Sequence, residues 1–373
     1  MWLFVDHDRI CGSWSFSFPL RGKEKDICGS WPPPRLGRNT LKRKEETNMK
    51  RRTLALLLSA ALALTLTACG GDDGTSQPPA DDSQAPTSEA PAESEAPAVE
   101  IPPVEDLTGV DTSAIPGVED GVLTVGMECA YAPYNWTQTD DSNGAVPIVN
   151  NPGSYANGYD VMMAQRICDA YGWELEVMAL EWGGLTAGLQ SGVIDVAIAG
   201  QSMTADRLAE VDMAGPYYYA TIVCVTTKDS QYASATSIDD LSGGLCTAQS
   251  GTIWYESCLP QIPDAQVQAP ADTAPAMIMA LESGTVDFIC TDMPTATAAV
   301  AKNDNLVILN FSGTDGDFQF ASEEERAENV NIGMSVVKGN TQLLDALNTV
   351  IGELNEEQFN AIMAEAIAVQ PEI

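Results

Sequence analysis

Apolar positions along the chain change their period several times, and those changes mark its parts. Val122–Gly126 is a short apolar run that reads as a first strand. Val161, Met162, Ala164, Ile167 and Cys168 recur at helical spacing between Tyr159 and Tyr171, so that stretch reads as an amphipathic helix stopped by Gly172. Glu174–Leu180 alternates as a strand and delivers Trp182 beyond its end. Leu189-Gln190 close a helix at Ser191-Gly192, where glycine takes the left-handed conformation that ends a helix. Val193–Ala199 is almost wholly apolar, the pattern of a strand buried on both faces of a parallel sheet. Gly200-Gln201-Ser202 leave its carboxyl end, Thr204 is placed to cap the next helix, and Arg207 falls in that helix's first turn.

The same block occurs twice. Leu281–Asp292, LESGTVDFICTD, repeats the helix end, the Ser-Gly stop, an Asp at the mouth of the strand, and the apolar strand itself. Aligning Leu189 with Leu281 sets Gly200 opposite Asp292. Two similar βα units imply two related α/β lobes whose strand ends face a shared crevice, where open α/β sheets bind ligands. Pro216–Thr226 reads as the first crossing between the lobes, and the chain returns through Ile332–Val337 before helices after Thr341. Lobe 1 is therefore expected over 119–224 and 333–373, and lobe 2 over 225–332. Ser250-Gly251-Thr252 is expected to open a helix whose N–H groups face a carboxylate.

Charge sharpens this picture. The 373 residues hold 18 Lys+Arg against 53 Asp+Glu. Twelve of the bases precede Cys69, which leaves Arg166, Arg207, Lys228, Lys302, Arg326 and Lys338 beyond it. A helix N-terminus already carries partial positive charge, so a base placed there in so acidic a chain calls for an anion, and guanidinium suits a carboxylate. Arg207 from one lobe and Asp292 from the other match the two ends of a zwitterion. Nucleic acid and anionic lipid surfaces are excluded as partners by the acidic balance.

The N-terminal third has a different character. Residues 1–48 show no period, contain the chain's only histidine, His7, and read as a leader or a misassigned start. Residues 49–68 have Lys50, Arg51 and Arg52 ahead of an apolar run too short to span a bilayer, the form of a signal peptide. Leu66-Thr67-Ala68-Cys69 resembles the lipobox of bacterial lipoproteins, so Cys69 is expected to carry the lipid and begin the mature chain. Residues 69–118 are rich in Pro, Ser, Ala, Glu and Asp, and are expected to form a disordered acidic tether.

From Gly121 onward the segments LTVGMECAYAPYNW, GYDVMMAQRICDAYG, EWGGLTAGLQSGVIDVAIAGQSMTADR, AGPYYY, AQSGT and CTDMP resemble bacterial extracellular solute-binding proteins of the polar amino-acid type, family 3. These are lipoprotein receptors of ABC importers. The resemblance implies a type II periplasmic-binding-protein-like fold, with two α/β lobes joined by a two-segment hinge and the ligand cleft between them. It assigns the ligand's α-carboxylate to Arg207 with Ser202 and Thr252, and its α-ammonium to Asp292 with the Gly200 carbonyl. Tyr131 and Trp182 would sandwich the side chain, and Glu128, where Asp is more usual, would reach its distal end. The insertion over 137–157 is longer than the family usually has. The implied partners are a free L-amino acid and the permease subunits, with a monomer held by lipid on the extracellular side of the cell membrane. No catalytic group, cofactor or metal is implied.

With Arg207 engaged by the α-carboxylate and no second base at the cleft, Lys, Arg, His or Gln are expected as ligands over Asp and Glu. Two other classes are a sensor that reports amino acids to a signalling partner, and a dehydratase-like enzyme on the same fold. The enzyme reading is weakened because no histidine follows Cys69. Six cysteines follow Cys69 without a CxxC pair, which argues against tetrahedral zinc. Cys246 at a strand start and Cys258 at the next helix end leave one disulfide open.

Overall fold

The computed structural model describes residues 99–371. The leader, the signal peptide, Cys69 and the tether as far as residue 98 lie outside the described residues.

After β1 (Val122–Met127) the chain folds a small antiparallel sheet from β2 (Ala130–Tyr131), β3 (Asn135–Gln138), β4 (Val146–Pro147) and β5 (Tyr155–Asn157). Helix α1 (Tyr159–Tyr171) leads to β6 (Glu174–Ala179), α2 (Leu185–Ser191), β7 (Val196–Ser202), α3 (Ala205–Glu210) and β8 (Val211–Tyr219). Beyond Ala220-Thr221 come β9 (Ile222–Thr227), β10 (Leu245–Thr247), β11 (Gln266–Val267) and α4 (Ala274–Glu282). Then follow β12 (Phe288–Asp292), α5 (Met293–Lys302), β13 (Leu306–Leu309) and α6 (Glu323–Val330). Strand β14 (Asn331–Val337) and helices α7 (Thr341–Ile351) and α8 (Glu356–Val369) end the fold.

Two five-stranded sheets result, in the orders β6-β1-β7-β14-β8 and β11-β10-β12-β9-β13. In each, three parallel strands are followed by one antiparallel strand, β14 in the first sheet and β9 in the second. This is the two-lobed type II architecture, and the sequence repeat has a physical basis in it. Asp195 accepts a hydrogen bond from the Thr124 N–H (2.9 Å), and its own N–H donates to the Thr124 carbonyl (2.9 Å). Asp287 does the same with Leu245, at 2.8 and 2.7 Å. Each Asp thus seats the strand that follows it beside the first parallel strand of its own lobe.

These ties also correct a boundary. The strand expected at Val193–Ala199 runs instead from Val196 to Ser202. Residues up to Asp195 are held in the approach turn, and pairing of Ile332 with Ser202 and Gly333 with Gln201 extends the far end. The helix expected after Ser250 is only a turn followed by a π-helical segment, Trp254–Cys258, and Leu259–Gln261 as a 3-10 turn. Pro260 offers no N–H to continue it. Cys246 and Cys258 are buried and unbridged, as are the other four described cysteines.

The 137–157 insertion has a structural role. It supplies β4 and β5, the Val149 N–H donates to the Val177 carbonyl (2.9 Å), and the Asn150 amide both donates to the Ala179 carbonyl and accepts from its N–H. It therefore covers β6, which ends the first sheet and would otherwise leave open backbone groups.

The expectation of a disordered tether does not hold for residues 99–118. From residue 99 the chain packs on lobe 1: the Leu107 N–H donates to the Ala170 carbonyl (2.8 Å), Trp173 Nε1 to Thr112 Oγ1 (3.2 Å), and Asn340 Nδ2 to the Pro116 carbonyl (2.8 Å). Ile101, Val104, Leu107 and Ile115, scattered among prolines and acids, pack against the core. Their spacing has no helical or strand period, so composition alone hides their burial. Arg166 fastens this strap, donating Nη1 to the Pro102 carbonyl (3.0 Å) and Nη2 to Glu353 (2.8 Å).

Arg166→Ala should therefore destabilise the protein by about 3 kcal/mol, because it leaves Glu353 and the Pro102 carbonyl without their donor. Urea unfolding measures the loss, and hydrogen exchange should show residues 99–107 losing protection first.

Candidate functional site

The residues that the repeat singles out meet between the two sheets. A cavity of about 400 Å³ is lined by Tyr131, Trp182, Gly200, Ser202 and Arg207 from the first lobe and by Thr252 from the second. Glu128 and Asp292 stand just behind this wall, each bonded to a residue that lines it: Glu128 to Gln249, and Asp292 to Tyr131.

Arg207 reaches the cavity because Thr204 caps α3, accepting from the Arg207 N–H at 3.3 Å. Its guanidinium donates to the Ser202 carbonyl and lies over the Trp182 ring, 5.6 Å from the centroid. Trp182 therefore holds the cation as well as forming a wall. Among the described residues Arg166, Arg326 and Lys338 pair with Glu353, Asp317 and Asp212, whereas Arg207 has no carboxylate partner. Burial pulls its pKa down to about 10, with Glu210 opposing, so it is charged at neutral pH.

Asp292 is fully buried and caps α5, accepting from the Thr295 N–H (2.8 Å). Its other oxygen accepts from the Tyr131 hydroxyl at 2.5 Å. Burial raises its carboxyl pKa, and the bonds from Tyr131 and Thr295 oppose that rise. Gly200 has φ +62°, and a Cβ there would lie 2.7 Å from Tyr131 Cε1, so only glycine allows the ring this close.

Glu128 accepts from Gln249 Nε2 (3.2 Å), while its Oε1 is buried without a hydrogen-bond partner. Burial pushes its pKa up to about 7; Gln249 opposes this, and the charge of Glu181 adds to it. Thr252 donates its hydroxyl to the Gln249 carbonyl (2.7 Å), which shapes the turn that carries both residues. Among the contacts that join the lobes across the cleft are Tyr131 to Asp292, Gln249 to Glu128, and Trp182 beside Gly251.

Several lining residues escaped the sequence reading. Gln249 sits in the AQSGT segment but shows its partner only once the lobes meet. Asn329, Glu256 and Trp254 also line the cavity, with Asp206 and Glu210 from α3. Helical periodicity exposes the last two, whereas Asn329 arrives on the return crossing with no local signal. Arg207 is the single base among these described lining residues. The arrangement offers a cation with hydroxyl and backbone groups, a carboxylate behind the wall on each lobe, and two aromatic faces. Among the described residues no group of His, Cys, Asp and Glu is arranged to hold a metal ion, and no helix is long and apolar enough to cross a membrane.

Comparison with known proteins agrees with this geometry. The family model for bacterial extracellular solute-binding proteins, family 3, matches residues 123–367. The L-cystine-binding protein TcyJ of Escherichia coli (strain K12) is 28% identical over 240 residues, 64% of this chain and 79% of that protein. A probable histidine-binding protein of Campylobacter jejuni is 29% identical over 210 residues, 56% of this chain and 75% of its own. Among solved structures, an ancestral arginine-binding protein bound to arginine is 27% identical, with a TM-score of 0.51 over 66% of this chain and 97% of that one.

The raised pKa of Glu128 fixes the sign of a pH effect. Its folded form holds a proton between the ordinary value of 4.5 and about 7, so its contribution to stability is full below 4.5 and is lost as pH rises through 7. Glu128→Gln should gain on the parent by roughly 2 kcal/mol between pH 5 and pH 8, read by urea unfolding at each pH. A difference that does not change with pH would remove the shifted proton from Glu128.

Proposed function

The chain belongs to the bacterial extracellular solute-binding proteins, family 3, and from that premise we propose that it is the lipid-anchored receptor of an ABC importer for a polar or cationic L-amino acid. The carrying observation is Arg207: it lines the cavity, lacks a carboxylate partner and rests on Trp182, as a group reserved for an anion would. The ligand's α-carboxylate meets Arg207, Ser202 and Thr252. Its α-ammonium meets the Gly200 carbonyl and the Tyr131–Asp292 pair.

The side chain points toward Gln249 and Glu128, over the faces of Tyr131 and Trp182. A cationic group there draws the Glu128 proton off and gains a carboxylate; an amide gains an acceptor and a donor. A second carboxylate meets no base, because Arg207 is engaged and Asp206, Glu210 and Glu256 are acids. The names of the cystine-, histidine- and arginine-binding relatives support an amino acid, and the acid-rich wall supports the Lys/Arg/His/Gln class within that range. Catalysis is disfavoured because the chain's one histidine is His7. A transport assay in cells lacking the chain distinguishes an importer's receptor from a sensor.

Binding acts on the two crossings, Ala220-Thr221 between β8 and β9 and the passage from α6 into β14. A ligand can shift the lobes toward closure only by its difference in affinity for the closed and open forms, and a zwitterion that satisfies both lobes has that difference. The LTAC segment ending at Cys69 supports a lipid anchor and a place on the extracellular side of the cell membrane.

Titration calorimetry should show arginine, histidine or glutamine binding at least about tenfold more tightly than glutamate or aspartate, roughly 1.4 kcal/mol. Arg207→Ala should weaken the best ligand by about 30-fold or more while near-UV circular dichroism stays unchanged. Tight glutamate binding would refute the ligand class, and near-parental affinity in the variant would remove Arg207 from the site. Intact mass of membrane-extracted protein should begin at a diacylated Cys69; an unmodified N-terminus upstream would refute the anchor.

A further inference from the structure

Behind the cavity wall a carboxylate is buried with no cation beside it. Asp160 is fully buried in the first turn of α1, and the ion pairs of the described residues lie elsewhere. Such burial is costly unless both oxygens are engaged. One oxygen accepts from the Tyr217 hydroxyl at 2.6 Å, the other from Asn135 Nδ2 at 2.7 Å.

We propose that Asp160, acting through the Tyr217 hydroxyl, is the positioning residue that sets the backbone of Gly200 at the ligand site. The inference rests on reading the cleft as an amino-acid site and adds a residue that does not touch the ligand. The β7–β14 ladder pairs Gln201 with Gly333 and Ala197 with Ser335, with a register shift between them. On its other side β7 pairs with β1 only at Val196 and Ala197. Gly200 therefore falls outside both ladders, and its N–H donates instead to the Tyr217 hydroxyl (3.1 Å). An ionised carboxylate only accepts, so the phenol donates its hydrogen bond to Asp160 and leaves an oxygen lone pair to accept from the Gly200 N–H. Burial lifts Asp160 to about 6 against the opposing bonds from Tyr217, Asn135 and the Gly200 N–H, which leaves it mostly ionised at neutral pH.

The second oxygen serves the same wall. Asn135 pairs with Tyr131 across β2 and β3, so one carboxylate steadies both the ring strand and the glycine against which that ring packs. Tyr217 lies on β8 shortly before the crossing at Ala220, and stacks on Tyr159 at 5.6 Å between centroids.

The test is a double-mutant cycle in Kd, by calorimetry at pH 7.5 with L-arginine, L-histidine, L-glutamine and L-cystine. Tyr217→Phe removes one oxygen and keeps the stacked ring; it should raise Kd about tenfold, as should Asp160→Ala. The two together should be no worse than either alone, because both break one chain of bonds. Asp160→Asn should recover to within about threefold of the parent. Its amide oxygen still accepts from Tyr217, and Asn135 can turn its unpartnered Oδ1 to the new amide nitrogen. Recovery by Asn and non-additive Kd values are not expected of a residue that only stabilises the fold. Should Asp160→Ala not fold, Tyr217→Phe and Asp160→Asn decide alone. A parental Kd in Tyr217→Phe, additive losses, or no recovery in Asp160→Asn would overturn the proposal while leaving the cleft reading intact. A parent chain that binds none of the four would overturn both.

Discussion

Two aspartates decide where everything else stands. Asp195 and Asp287 each close a two-way backbone bridge to the first parallel strand of their lobe, and so fix how far β7 and β12 advance before they end. What stands at those ends follows from this register: Gly200, Ser202 and, one capped turn later, Arg207 on one side, and Asp292 on the other. A slip of one residue in either strand would turn its side chains to the opposite face and dissolve the site. The cleft is thus a consequence of strand seating in two separate sheets.

Much of this was legible in the sequence because it is written locally. The Ser-Gly stop, the Asp, the apolar run and the capping Thr204 each act within a few residues of themselves, and their recurrence gave both lobes. Six of the eight proposed contact residues line one cavity for that reason. The rest depends on what crosses between lobes. Glu128 and Asp292 retreat behind the wall because Gln249 and Tyr131 reach across to them, and no local pattern encodes that reach. The strap over 99–118 was missed for a related reason: its four apolar residues pack singly against the core, so they need no period of their own. The extension of β7 through Ser202 likewise belongs to its pairing with β14, more than a hundred residues away in the chain.

Electrostatically the site inverts the rest of the molecule. An acidic chain keeps one base at its cavity and lets burial do the remaining work. Asp160, Asp292 and Glu128 are all raised by desolvation, each restrained by a neutral donor instead of a salt bridge. Neutral donors hold a carboxylate in place without placing a cation beside it, so Glu128 in lobe 1 and Asp292 in lobe 2 keep the cleft attractive to a cation from both sides.

The strap gives the molecule a mechanical asymmetry. Its hydrogen bonds run from Gln358 and Arg166 through Ala170 to Asn340, all in lobe 1. Were the chain held at its N-terminal side, as the proposed anchor requires, tension would pass into the helices behind the first sheet before it reached either crossing. Lobe 1 would then be the held jaw and lobe 2 the moving one.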